Sequence, residues 1–257
     1  MGQGYDRSAS HLAQPKFRDF ATCWSQLAVA LTLMSFREFM KNREWFRKTT
    51  WTESDREDFF AHLERSRKTS RAQYLRIQAL YLYETKSLNE IEVALELCNL
   101  ALVDYSEQVE LASVLGQKAM CFNKLGKLQE AEETFFLAIG AMRAFRHMRP
   151  QVPFSFGLFV IEHKISRLYQ EVLMILDEFE SITDGIVFPS TVYYFCGIKA
   201  IILYRENYPK EARLYATEAI KASEKQYSGL SRHPKFGLVT TRGDAFYKEL
   251  TEIAELC

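Results

Sequence analysis

The chain has 257 residues and a mass of 29.9 kDa, with 47% hydrophobic and 26% charged residues, so it is long enough for one or two domains with a sizeable core and too apolar to be disordered. Its 11 Gly and 6 Pro are about half the usual share, which argues against a β-sandwich or barrel built on many tight turns. Lys plus Arg equals Asp plus Glu at 33 each, a balance that argues against a dedicated nucleic-acid binder and gives no sign of an acidic substrate.

In chain order, residues 1–17 read as a polar, disordered leader and about 18–42 as an amphipathic helix. The run from Phe20 to Phe36 has no charge and follows Lys16 and Arg18. It falls short of the ~20 residues a membrane span needs, and Thr22, Ser25, Gln26, Thr32 and Ser35 interrupt it, so no membrane association is expected. The start Met1-Gly2-Gln3-Gly4-Tyr5-Asp6 lacks the Ser or Thr that myristoylation wants at position six. A working start at Met34 or Met40 is an open alternative. Thr52-Glu53-Ser54-Asp55 is a capping-box pattern, with Phe59, Phe60 and Leu63 following at helical spacing. Ser70 precedes a run carrying Tyr74, Leu75, Ala79, Leu82 and Tyr83. Helices are then predicted over roughly 88–105, 107–125, 127–145, 154–167, 169–183, 190–205, 208–227 and 242–256. Gly126, Pro150 with Pro153, Asp184-Gly185 with Pro189, and Asn207 before Pro209 separate them. Pro209 suits a first helical turn, where its missing N–H is no loss. Sustained period-two alternation is absent, so the expected class is all-α, with helices joined in antiparallel neighbours.

Chemistry-bearing patterns are sparse. Cys23, Cys98, Cys121, Cys196 and Cys257 form no C-x-x-C, and three of them sit in apolar helical patterns, as free thiols buried in a reducing cytoplasm would. His11, His62, His147, His163 and His233 are scattered, without H-E-x-x-H or zinc spacing. His163 reads as a partly buried structural residue. Phosphate-loop, dinucleotide and nucleophile-elbow motifs are missing, so no catalytic residue, metal or cofactor is expected, and the chain is not expected to be an enzyme. Glu132-Glu133 and Glu178 with Glu180 read as solvated faces. Charge is nonetheless uneven: residues 1–76 hold 14 basic and 9 acidic residues, residues 77–140 hold 4 and 10. One basic run comprises Arg65, Arg67, Lys68, Arg71 and Arg76. Another, Arg143, Arg146 and Arg149 with His147, falls near a helix end, where cations favour the dipole; an anionic contact on a partner is the alternative.

An internal period is visible. Gln129-Glu130-Ala131, Gln170-Glu171-Val172 and Lys210-Glu211-Ala212 recur 41 and 40 residues apart, and Ala94 precedes Ala131 by 37. Gly116, Gly157 and Gly197 each lie 15 residues before an anchor of that series. A Gly inside a helix costs about 1 kcal/mol relative to Ala, so three in one phase have a common purpose. Either a neighbouring helix packs against them, or they leave room for a ligand.

Leu115, Ala119, Phe122, Gly126, Ala131, Phe135 and Ala138 resemble, in order, the pattern of a tetratricopeptide repeat. Leu75, Ala79, Leu82, Ala94, Cys98 and Ala101 match it earlier, with extra residues near Thr85–Asn89, and Ala200, Leu203, Ala212, Ala216 and Ala219 match it later. The stretch from Phe154 to Ile182 departs from it, since Val160 and Val172 replace small residues, and the periods exceed the family's 34. The resemblance implies an α-solenoid of antiparallel helix pairs over residues 70–227, an N-terminal helical cap over 18–69 and a C-terminal capping helix within 228–257, carrying Phe246, Leu250, Ile253 and Ala254. It also implies a concave groove lined by the first helix of each pair. Carried over residue by residue, the partner-binding positions are Gln73, Arg76, Leu80 and Tyr83; Ser113, Gly116, Met120, Asn123 and Lys124; Phe154, Gly157, Ile161 and Lys164; and Tyr194, Gly197, Ile201, Tyr204 and Arg205. The family's carboxylate clamp is not matched, because Gln117, Tyr194 and Ile198 stand where its polar or basic residues would. The implied function is a cytoplasmic, non-catalytic module holding a peptide or protein segment. The alternatives are a dedicated inhibitor or immunity protein masking one toxin, and a peptide-responsive regulator.

Overall fold

Thr52 opens the first helix of the described residues, α1 (Glu53–Arg65), as its capping-box pattern predicts. Its hydroxyl accepts from the Asp55 backbone N–H at 3.2 Å, and the Asp55 carboxylate accepts from the Thr52 backbone N–H at 3.1 Å. Donors that the helix end would leave orphaned are thereby satisfied. The computed structural model describes residues 44–104, 108–145, 150–182 and 188–255, and every element named here lies in the unit that begins at Phe46. The leader, the run from Phe20 to Phe36, Cys23, Arg146, His147, Arg149 and Cys257 lie outside the described residues.

Nine further α-helices follow among the described residues: α2 (Lys68–Glu84), α3 (Leu88–Asp104), α4 (Gln108–Lys124), α5 (Leu128–Ala144), α6 (Val152–Glu162), α7 (Tyr169–Ile182), α8 (Pro189–Arg205), α9 (Pro209–Ser223) and α10 (Ala245–Ala254). No strand occurs among them, so the chain is all-α there. Three boundaries depart from expectation. Helix α2 starts at Lys68, directly after Arg67 in extended backbone, so Ser70 sits inside its first turn. Helix α6 stops at Glu162 because Lys164 takes φ +53° and the chain re-enters through a 3₁₀ turn at Ser166–Leu168. Helix α9 ends at Ser223, whose hydroxyl donates back to the Ile220 carbonyl at 2.7 Å.

Four joints share one device. Between α2 and α3, α4 and α5, α6 and α7, and α8 and α9 stand Lys86, Gly126, Lys164 and Asn207, each at positive φ. A single left-handed residue stops a helix and reverses the chain. Around these joints α2 packs on α3, α4 on α5, α6 on α7 and α8 on α9. Ala79, Ala94, Ala119, Ala131, Ala200 and Ala212 are fully buried, as are Val160 and Val172 in the α6–α7 pair. Small side chains there let two helix axes approach closely.

Packing then runs along the chain. Helix α2 also touches α4, α4 touches α6, α6 touches α8, and α8 touches α10. Every substantial contact joins helices one or two places apart. The three phased glycines lie on these second-neighbour seams. A Cβ on Gly116 would stand 2.8 Å from a Val152 methyl of α6, one on Gly157 2.8 Å from Ile198 of α8, and one on Gly197 2.5 Å from the Phe246 ring of α10. Helix α10 lies on both α8 and α9, with Leu250 and Ile253 buried, and Asp244 caps it by accepting from the Tyr247 N–H at 2.8 Å. At the other end, Gln78 of α2 is buried and clasps the Lys48 backbone, accepting from its N–H at 3.0 Å and donating to its carbonyl at 2.7 Å. No helix among the described residues is long and apolar enough to cross a membrane.

Candidate functional site

Side chains three, four and seven positions apart share one face of a helix. Arg76 and Leu80 of α2 therefore stand one turn apart, and Ser113, Gly116, Gln117 and Met120 of α4 form a strip facing them. The third wall comes from Pro150, Gln151, Val152 and Ser155 at the start of α6. Together they line a cleft of about 390 Å³. Gly116 admits that third wall, because only a missing Cβ lets Val152 come so close. The cleft thus unites five of the residues marked by the sequence, Arg76, Leu80, Ser113, Gly116 and Met120, from two successive repeats.

Its electrostatics are set by one pair and one orphan. Arg76 Nε donates to Glu110 Oε2 at 2.7 Å, a bridge between α2 and α4 with little exposure on either side. That bond fixes the guanidinium and compensates its charge. Gln117 is only 6% exposed, yet among the described residues its Nε2 meets no acceptor. Leaving such a donor unmatched costs about 1–3 kcal/mol.

A second polar group lies at the other end of α4. Asn123 donates through Nδ2 to Glu162 Oε2 at 3.1 Å and accepts at Oδ1 from His163 Nε2 at 2.7 Å. Lys124 reaches the same Glu162 at 3.9 Å. Burial pushes the Tyr83 hydroxyl up to about 12, with Cys121 and Glu162 adding to the shift, so it stays a neutral donor there. Lys164, Tyr204 and Arg205 line a second opening, of about 530 Å³, with Lys248, Glu249 and Glu252 of α10. Arg205 is committed within the chain: it forks onto Glu249 at 2.9 and 3.2 Å and donates to the Ile161 carbonyl at 2.8 Å. Burial lowers its pKa, but the bonds to Tyr169 and Glu249 outweigh that and raise it.

The remaining marked positions are not gathered into one surface. Gln73 is exposed on α2, and Tyr194 is half-buried with its ring 6.0 Å from Phe246. Phe154, Gly157, Ile161, Gly197 and Ile201 are buried. Phe154 lies edge-on to Phe179 at 5.0 Å, and the two glycines face neighbouring helices, so these five act in the core. Arg143, read from sequence as a dipole or partner contact, forks onto Glu178 of α7 at 2.9 and 3.0 Å. Glu132, read as solvated, accepts from Arg167 at 2.6 Å. Sequence reasoning missed Gln151 and Ser155 in the cleft and Glu110 as the partner of Arg76, and set Gln117 aside. A usable signal existed: Arg76 and Glu110 are 34 residues apart, and Asn123 and His163 are 40 apart. The second matches one period of the sequence pattern, and the first falls a few residues short of it.

Comparison with family models, with curated proteins and with solved structures finds no match to the chain.

Proposed function

We propose that the chain is a non-catalytic scaffold, a tetratricopeptide-like α-solenoid of antiparallel helix pairs capped at its ends, which holds a peptide or a segment of another protein along the face of α2, α4 and α6. The observation that carries this reading is the cleft, where residues from two successive repeats of the sequence pattern line one opening. The order of helix contacts, each with its first and second neighbours, supports the solenoid. Of the cleft's lining, Arg76 and Met120 are of the residue types enriched at partner-binding surfaces. The buried free thiols Cys98, Cys121 and Cys196 suit a reducing compartment such as the cytoplasm, where this reading puts the protein.

The test is affinity capture from the native host with the full chain and with a Leu80→Asp, Met120→Asp variant. Met120→Gln serves instead if the charged variant melts lower. The wild type is expected to recover a stoichiometric partner that the variant loses about tenfold or more, as when anchor residues are removed. Equal recovery by both proteins, or no partner for either, overturns the reading.

A further inference from the structure

The connection from α9 to α10, residues 224–244, differs from the rest of the chain in charge. From Lys225 to Gly243 it carries Lys225, Arg232, Lys235 and Arg242 and no acidic residue, in a chain whose net charge is zero. All four cations are exposed, and none enters an ion pair among the described residues. The dipole of α9 accounts for a cation at Lys225, just past its C-terminus, but not for the other three. Aromatic rings are interleaved with them, Tyr227 at 54% and Phe236 at 63% exposure. Connections this long without helix or strand are uncommon, and are usually either functional or disordered. This one is tied down. Ser228 is buried; its N–H donates to the Pro234 carbonyl at 2.9 Å and its hydroxyl to the His233 carbonyl at 3.0 Å. The Ser190 N–H donates to the Gly237 carbonyl at 2.8 Å, and Phe236 lies edge-on to Phe188 at 5.4 Å, which pins the loop to the start of α8. A loop held in place lowers the ordering cost of binding.

The same loop forms one lip of a cleft of about 500 Å³, within the ~300–1,000 Å³ range of ligand clefts. Pro189 and Val192 of α8, Ala222 of α9 and Tyr227 give it apolar walls. Of its charged lining, Glu218 pairs with Lys221 at 3.4 Å, which leaves Lys225 uncompensated. Ser228 also lines the cleft, and its bonds to His233 and Pro234 bring their chain neighbours Arg232 and Lys235 to the same edge. A nucleic acid answers the cations, but the Ser228 hydroxyl is spent on the loop backbone and reads no base edge. A bilayer is flat at this scale, with its apolar part behind the headgroups, and does not fill a recess. An acidic stretch of protein answers both features, with carboxylates for the cations and an apolar side chain for the cleft. We infer that this surface docks an acidic segment of a partner protein. One apolar side chain seats among Pro189, Val192, Ala222 and Tyr227, and carboxylates flank it against Lys225, Arg232 and Lys235. The surface is separate from the α2–α4–α6 face and does not rest on that reading.

The experiment pans a display library of random dodecapeptides against the full chain and measures the enriched peptides on variants. The combination Lys225→Gln, Arg232→Gln, Lys235→Gln alters only exposed side chains. The binders are expected to carry Asp or Glu around one aliphatic or aromatic residue and to bind the combined variant about tenfold more weakly. They should also weaken as salt is raised to about 1 M, where the screening length falls to ~3 Å. The charge-keeping combination Lys225→Arg, Arg232→Lys, Lys235→Arg should retain binding. Replacing the apolar residue of the peptide by Ser should weaken binding to the wild type by more than to Tyr227→Ser. Binders without acidic residues overturn the inference, as do acidic binders that hold on the Gln combination or fail on the charge-keeping one. If every binder is lost on Leu80→Asp, Met120→Asp and kept on the Gln combination, this inference falls and the reading of the other face stands. An oligothymidylate strand, or vesicles of phosphatidylserine and phosphatidylcholine, that bind the full chain more tightly than the best peptide and are lost on the Gln combination overturn it in favour of that partner. No enrichment over a control protein also overturns it.

Discussion

Asp55 shows how much one carboxylate does at a helix start. It accepts from the Thr52 backbone and hydroxyl and from the Thr50 hydroxyl, and pairs with Lys48 at 3.1 Å. Burial alone would raise its pKa, but the bonds from Thr52, Thr50 and Lys48 outweigh that and hold it at about 2, below its ordinary 3.8. A carboxyl whose folded pKa is depressed stabilises the fold above its unfolded value, and that contribution is lost as pH falls through the folded value. Asp55→Ala should therefore cost about 1 kcal/mol near neutral pH. The gap in melting temperature between variant and wild type should close between about pH 4 and pH 2. A gap that stays constant down to pH 2 would show that the charge is not what Asp55 contributes. The Thr52–Asp55 box was legible in the sequence because both partners sit within one turn. The cleft around Gln117 was not, because its third wall comes from the start of α6, 35 residues further on.

Helices and seams were legible to a different degree. The 3.6-residue apolar period and the turn residues located all ten described helices, with the largest error at the end of α6, where no Gly or Pro marks the stop and a lysine adopts the left-handed conformation. The glycine phase was legible too, but the direction each glycine faces was not, since direction depends on how far successive pairs rotate. The structure turns Gly116, Gly157 and Gly197 toward side chains of the next helix but one. Adding a Cβ overpacks that seam, at about 1–3 kcal/mol, against roughly 1 kcal/mol gained in helix propensity. The net effect of Ala is destabilising and graded. Gly197→Ala should be worst, because the new carbon falls 2.5 Å from an aromatic ring and 3.0 Å from Leu250; Gly157→Ala comes next, with three neighbours inside 3.4 Å; Gly116→Ala is mildest, with one methyl below 3.0 Å. Melting curves of the three single variants read this order directly, at about 2–4 °C per kcal/mol for a chain of this size. A raised melting temperature in any of them would mean that its seam has slack.

At the scale of the molecule, the substantial contacts among the described helices join first and second neighbours, and a stack built that way is expected to share its stability locally. Long-range polar bonds obey the same rule: Arg76–Glu110, Arg143–Glu178, Arg167–Glu132 and Arg205–Glu249 span 34, 35, 35 and 44 residues. Each joins elements no more than two helices apart. Helix α10 matters because it packs on both α8 and α9, with Phe246 and Leu250 over Gly197 and with Leu250 and Ile253 buried. Phe246 stands edge-on to Tyr193 at 5.4 Å, and Glu249 holds the Arg205 fork. Burying each of those three apolar side chains is worth about 1.5–3 kcal/mol as an upper estimate, which together rivals the 5–15 kcal/mol stability of a typical domain. Deleting residues 237–257 should lower the melting temperature, expose the Gly197 seam and promote aggregation. Amide hydrogen exchange should localise the damage. Protection is expected to fall first in α8 and α9, less in α6 and α7, and least in α2 and α3, because opening propagates from neighbour to neighbour. A uniform loss of protection across all helices would show one cooperative core in place of a stack, and a truncated chain that stays soluble with unchanged melting would remove α10 from any capping role.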